Sequence, residues 1–205
     1  MNAIDILSST DWHKAVDFHG HVCPGLAIGF KAAMAGMAWL REHRAVDEEL
    51  VAIVETDACG ADAVQVVTGC TFGKGNFIFR DHGKTVYSFV SRRSGDGVRV
   101  ALLAGAFRPN ERLMELIQKI RTETATEEER SEFRHLHEQR SHEILGKEPA
   151  ELFKLESAQI ELPLKARIEP SEICDSCGEP TMASKLEQRG ASRLCRSCVD
   201  MGAGV

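Results

Sequence analysis

The chain has 205 residues, 43% of them hydrophobic and 27% charged, with a formal charge of −6. That balance supports a folded core and excludes an intrinsically disordered chain. The acidic excess argues against a general nucleic-acid or anionic-membrane binder, which needs clustered Lys and Arg.

The length allows one domain, or one core with a small module attached. Met1 to Asp11 has no basic start followed by an apolar core, so no secretory signal is expected and the protein is read as cytoplasmic. In that reducing setting seven cysteines point to metal ligation rather than a disulfide framework, and an odd number cannot all pair within one chain.

Ser9, Thr10 and Asp11 offer N-cap side chains for a short helix over residues 12–18, with Trp12 and Val16 packing inward. The run His19-Gly20-His21-Val22-Cys23-Pro24-Gly25 then packs two imidazoles and a thiol into five positions. Pro24 suits the first position of a helix, which makes Cys23 its N-cap. The unpaired N–H groups and the positive end of the helix dipole are expected to favour the Cys23 thiolate. His19 and His21 share parity in an extended lead-in that Gly20 lets turn. A lone His or Cys is most often structural, but three at this spacing before a helix point to one metal ion.

The helix is expected to reach about residue 42. Leu26 to Leu40 is apolar nearly all round, so it reads as a buried central helix. Lys31 interrupts the run, which also falls short of the ~20 residues of a membrane span. Leu50 to Thr56 has the β-branched content of a central strand, and Ala61 to Val67 reads as a helix, placing Cys59 at a second strand-to-helix corner. Cys23 and Cys59 thus occupy equivalent settings and are candidates to share an ion.

Cys70 follows in Thr68-Gly69-Cys70-Thr71-Phe72-Gly73-Lys74-Gly75-Asn76. This loop lacks the glycine spacing and the hydroxyl residue after Lys that a phosphate-binding loop needs, so its glycines are expected to bend backbone beside the metal site. Residues 77–80 and 85–90 read as a hairpin across the Asp81–Lys84 turn, with Val98 to Leu103 as a further strand.

From Pro109 the pattern is helical. Leu113, Leu116, Ile117 and Ile120 share one face, and an acidic first turn at 127–129 opens a second helix to about Leu145. His135, His137 and His142 lie amid Glu and Arg on that helix and read as a solvated or partner-facing surface. Glu148 to Phe153 reads as another short helix, and Ile160 to Ile168 as an edge strand or extended linker. Cys174-x-x-Cys177 and Cys195-x-x-Cys198 then have the spacing of a four-cysteine zinc site, whose ion would supply much of the folding free energy of so small a module.

The run at 19–25, the Asp57 to Cys59 turn and the run at 68–76 resemble the FmdE family, named after the FmdE component of formylmethanofuran dehydrogenase, and the four late cysteines resemble the zinc-binding extension of some members. The expected architecture is α+β: a core over residues 1–165 with a long buried central helix and antiparallel strands, and a zinc ribbon over 171–205. His21, Cys23 and Cys59 are the expected core ligands, with His19 and Cys70 as alternates and Asp17 or Asp57 behind them. Such N and S donors suit zinc, iron or nickel.

The resemblance implies an accessory metal protein of one-carbon or molybdoenzyme metabolism, with a molybdenum or tungsten enzyme as protein partner and room for redox or hydrolytic chemistry at the core site. The alternative is a metal-responsive regulator whose ribbon contacts nucleic acid or protein. Against nucleic acid, the ribbon's Lys185, Arg189, Arg193 and Arg196 are matched by Glu172, Asp175, Glu179, Glu187 and Asp200. A homodimer is expected, because two charged helices and a small module trail a core that reads as complete by about residue 108.

Overall fold

The computed structural model describes residues 3–166 and 169–202. The chain divides into two compact units, Met1–Lys165 and Ala166–Val205. The first is a mixed α+β unit. It opens with helices α1 (Ala3–Leu7), α2 (Thr10–His19) and α3 (Pro24–Leu40), followed by strand β1 (Leu50–Val54), helix α4 (Gly60–Thr68) and strands β2 (Phe77–Phe79), β3 (Val86–Ser91) and β4 (Gly97–Leu102). Helices α5 (Glu111–Arg121), α6 (Glu127–Gly146) and α7 (Pro149–Leu152) lead to strand β5 (Phe153–Ser157).

The five strands form one sheet in the order β2-β1-β3-β4-β5. Strand β1 lies parallel to β2 and antiparallel to β3, and the remaining pairs are antiparallel. The expected hairpin between β2 and β3 is therefore not formed. The intervening chain crosses the end of β1 instead: Arg80 N–H donates to the Val54 carbonyl and Lys84 N–H to the Glu55 carbonyl. Every residue of β1 and β3 is buried, as suits strands in the interior of the sheet with a neighbour on either side. The β1-α4-β2 crossover supplies the parallel pair.

Helix α3 has the buried character its sequence demands: twelve of its seventeen residues are buried. Leu26, Phe30 and Ala33 join Ala52 and Val54 of β1 and Phe89 of β3 in one core, and Trp12 meets Phe30 edge to face at 5.2 Å. Even Lys31 is inside, where its ammonium donates to the Leu145 carbonyl at 3.2 Å, and burial pushes its pKa down. Helix α6 packs along α3 with Ile144 and Leu145 buried, so its C-terminal part belongs to the core rather than to solvent. The helix expected over Glu148 to Phe153 is α7, which ends at Leu152; Phe153 to Ser157 then adds β5 to the sheet edge. Ile160 to Ala166 carries no regular structure, and the rest of that expected strand or linker, residues 167–168, lies outside the described residues.

The second unit contains two small hairpins, β6 (Ser171–Ile173) with β7 (Pro180–Met182) and β8 (Leu186–Arg189) with β9 (Ser192–Cys195), followed by helix α8 (Arg196–Asp200). Its core consists of Cys174, Cys195, Cys198 and Leu194, with Leu186 and Val199 against them. Among the described residues no helix is long and apolar enough to cross a membrane.

Candidate metal centre

Among the described residues, two groups of ligating side chains come together. In the first unit, His19, His21 and Cys23 each offer one donor atom within 4.8 Å of the others. The local fold differs from an extended lead-in. His19 is the last residue of α2, and Gly20 takes the left-handed cap at φ 90°, donating its N–H to Val16. That reversal, open to glycine at no steric cost, swings His21 back beside His19, with their rings 4.4 Å apart. Cys23 caps α3 as expected and accepts the Leu26 N–H at 3.3 Å.

His19 Nε2 lies 3.7 Å from Cys23 Sγ. A tetrahedral ion with ordinary zinc–nitrogen and zinc–sulfur bonds would separate such donors by about 3.6 Å, so the pair already stands at ligating distance. On its other side the His19 ring is fixed: Nδ1 is 2.7 Å from an Asp62 carboxylate oxygen. A carboxylate there keeps the proton on Nδ1 and leaves Nε2 free as a donor. The carboxylate comes from the first turn of α4, not from Asp17 or Asp57, both of which are exposed.

Cys59 stands at the N-terminus of α4 beside Cys23: a Cβ on Gly25 would lie 3.6 Å from the Cys59 sulfur and 3.9 Å from that of Cys23. What permits this is the bare crossing of α3 and α4. A Cβ on Gly29 would fall 2.2 Å from the Gly60 carbonyl oxygen, so the two helix starts converge only because Gly29 has no side chain. Buried Tyr87 reaches the same corner, its hydroxyl close to Gly60, and burial together with Cys59 raises its pKa.

Cys70 is elsewhere. It is fully buried and donates its thiol to the carbonyl of Leu50, the first residue of β1, whereas Cys59 lies beyond the last. The nine residues of α4 separate the two thiols by about 13 Å along the helix. Burial pushes the Cys70 thiol up to about 11. The 71–76 loop accompanies Cys70, with Lys74 Nζ donating to the Val46 and Asp47 carbonyls. It does not border the His19–Cys23 turn as expected.

The Cys23 thiolate is not favoured by position alone. Burial pushes that thiol up to about 11, outweighing the Leu26 N–H, and the neighbouring Cys59 adds to the rise. Desolvation beats the helix terminus, and a cation among these donors would reverse the balance. Sequence reasoning also missed His137. It lies half-buried on α6 with its ring 4.0 Å from that of Phe133, and burial and nearby His21 lower its pKa, keeping it neutral at pH 7. Its charged sequence neighbours concealed it.

In the second unit the sulfurs of Cys174, Cys177, Cys195 and Cys198 lie within 4.8 Å of one another. Cys177 and Cys195 are 3.8 Å apart, the spacing of about 3.8 Å that a tetrahedral zinc–thiolate site requires. Backbone N–H groups of Cys177 and Cys195 pull the Cys174 thiol down to about 6, so one ligand is prepared as thiolate.

Fold and sites together define a mixed α+β protein with two clusters of metal-ligating side chains, one at the meeting of two helix starts and one in a four-cysteine module. The family model described as "FmdE, Molybdenum formylmethanofuran dehydrogenase operon" matches residues 18–154, and the chain belongs to the FmdE family. It is similar, at 26% identity and a TM-score of 0.60, to the crystal structure of a tungsten formylmethanofuran dehydrogenase FmdE-like protein from Syntrophus aciditrophicus, over 98% of this chain and 97% of that one. A "Probable S-adenosyl-L-methionine-binding protein" of Archaeoglobus fulgidus is 33% identical over 193 residues. That match takes in 90% of this chain but 51% of the relative, so the chain spans about half the length of this curated relative.

Proposed function

We propose that the chain is a cytoplasmic accessory metal protein related to the FmdE component of formylmethanofuran dehydrogenase, with a transition metal in the first unit and a structural zinc in the second. The supporting observation is the convergence of His19, His21 and Cys23 within 4.8 Å, with Asp62 holding the His19 ring. His19 Nε2, a His21 nitrogen and the Cys23 sulfur would bind the core ion, and Cys59 is placed to complete or exchange into that set. Three protein ligands leave a position for water or a substrate donor, the arrangement of reactive rather than purely structural zinc sites. When bound there, such an ion supplies Lewis acidity. The chain's own residues orient it: Asp62 fixes the imidazole, Gly29 sets the helix approach, and Tyr87 closes the buried side near Cys59.

The four-cysteine module is the structural half. Its core is little more than the cysteines and three aliphatic side chains, so metal binding supplies the stability that packing cannot. Homodimers, and a molybdenum or tungsten enzyme as partner, belong to the same reading. Its test is elemental analysis of protein purified without added metal or affinity-tag nickel. Two ions per chain, one of them zinc that persists when His21 and Cys23 are replaced, is the expected result. A single ion indifferent to those replacements would sink the core site.

A further inference from the structure

Beside the His21 edge of the core cluster lies a cavity of about 570 Å³, lined by His21, Val22, Phe133, Arg134, His137 and Glu138. It is the size of a small-molecule site and has the usual composition of one, an apolar body with a few polar groups at its border. Val22 and the adjoining rings of Phe133 and His137, tilted 40° to each other, supply the apolar wall. The border carries Arg134 and Glu138, one helical turn apart and both exposed. Opposite charges at this spacing ordinarily pair. Here neither makes an ion pair among the described residues, so a cation and an anion are both presented to whatever enters.

That combination selects a ligand. A simple carboxylate would meet Glu138 as well as Arg134, and a neutral apolar molecule would leave both charges unused. A zwitterion satisfies both, since the guanidinium fork matches a carboxylate in two parallel hydrogen bonds and Glu138 accepts from an ammonium. We infer that this cavity binds an α-amino acid with a bulky apolar side chain, its carboxylate on Arg134, its ammonium on Glu138 and its side chain over Phe133 toward His21. Only the end of the ligand that reaches His21 rests on the metal centre proposed above. The rim contacts stand on α6 alone.

The full-length, zinc-loaded protein is titrated calorimetrically with S-benzyl-L-cysteine and with 3-(benzylsulfanyl)propanoate, the same molecule without its amino group. Saturable binding of the amino acid is expected. Arg134→Gln should weaken both probes about tenfold, whereas Glu138→Gln should weaken only the amino acid, by a similar factor. Phe133→Ala should weaken both. Arg134 and Glu138 are exposed on a helix, so circular dichroism should show the fold intact in both variants. Failure of the amino acid to bind saturably, or affinities indifferent to Arg134 and Glu138, would overturn the inference. The zinc count of the same samples separates the two claims: binding with these sensitivities in a chain holding only the C-terminal ion supports the cavity and removes the core metal.

Discussion

Replacing Gly29 by Ala tests the geometry on which the candidate centre depends. The new methyl would sit 2.2 Å from the Gly60 carbonyl oxygen and 2.4 Å from Gly60 Cα. Both are backbone atoms, so no rotamer change relieves the contact, and α3 and α4 must separate by about 1 Å to regain van der Waals distance. Overpacking of this kind costs about 1–3 kcal/mol and occasionally more. Alanine returns about 1 kcal/mol through its better helix propensity. With a backbone-to-backbone clash the cost belongs at the upper end, for a net loss of about 2 kcal/mol and a fall in Tm of about 4–8 °C for a unit of this size. Because Cys23 and Cys59 cap the two helices being pushed apart, core metal occupancy should fall as well. Urea unfolding followed by the fluorescence of buried Trp12, with metal analysis of the same samples, reads both effects. Gly146→Ala is the control: its Cβ would meet Ala3 at an ordinary 3.5 Å and should cost nothing. A Gly29→Ala protein as stable and as metal-loaded as the parent would refute the close crossing.

Asp62→Asn should weaken core metal binding about 10–100-fold, read by competition with a chelating dye, because the His19 ring loses the carboxylate that fixes its tautomer. Unchanged affinity would mean that the contact does not orient a ligand. Cys174→Ala or Cys198→Ala should release about one zinc per chain and expose the second unit to protease while the first still unfolds cooperatively; full metal content with an intact protease pattern would defeat the four-cysteine assignment. Sedimentation should give a dimer, and a concentration-independent mass near 22.6 kDa would rule it out.

What the sequence revealed was local in origin. Pro24 at a first helical position, the buried α3 run and the paired CxxC motifs each carry their geometry in a few adjacent residues, and all three stand where expected; of the N-cap candidates Ser9, Thr10 and Asp11, the structure uses Ser9 and starts the helix at Thr10 rather than Trp12. The failures are non-local. Nothing in Phe77–Phe79 says that it pairs parallel with β1 rather than with the next strand, because that choice depends on a crossover helix closing over the sheet. Phe153–Ser157 becomes β5 only because β4 offers it an edge. Asp62, rather than the expected Asp17 or Asp57, stands behind His19 because the meeting of α2 with α4 brings the first turn of α4 to that ring. Helix α6 read as solvated because its charges dominate its sequence, yet His137 and Phe133 turn toward the His21 cavity.

The central claim is a second metal ion, distinct from the four-cysteine ion, held by the turn at His19–Cys23. Its most direct test is the metal-to-protein ratio of the purified full chain against that of a His21→Ala, Cys23→Ser double variant, each by mass spectrometry of the elements. Two ions per chain are expected in the parent and one in the variant, the survivor being zinc. Equal ratios in the two proteins, whatever the number, would contradict it.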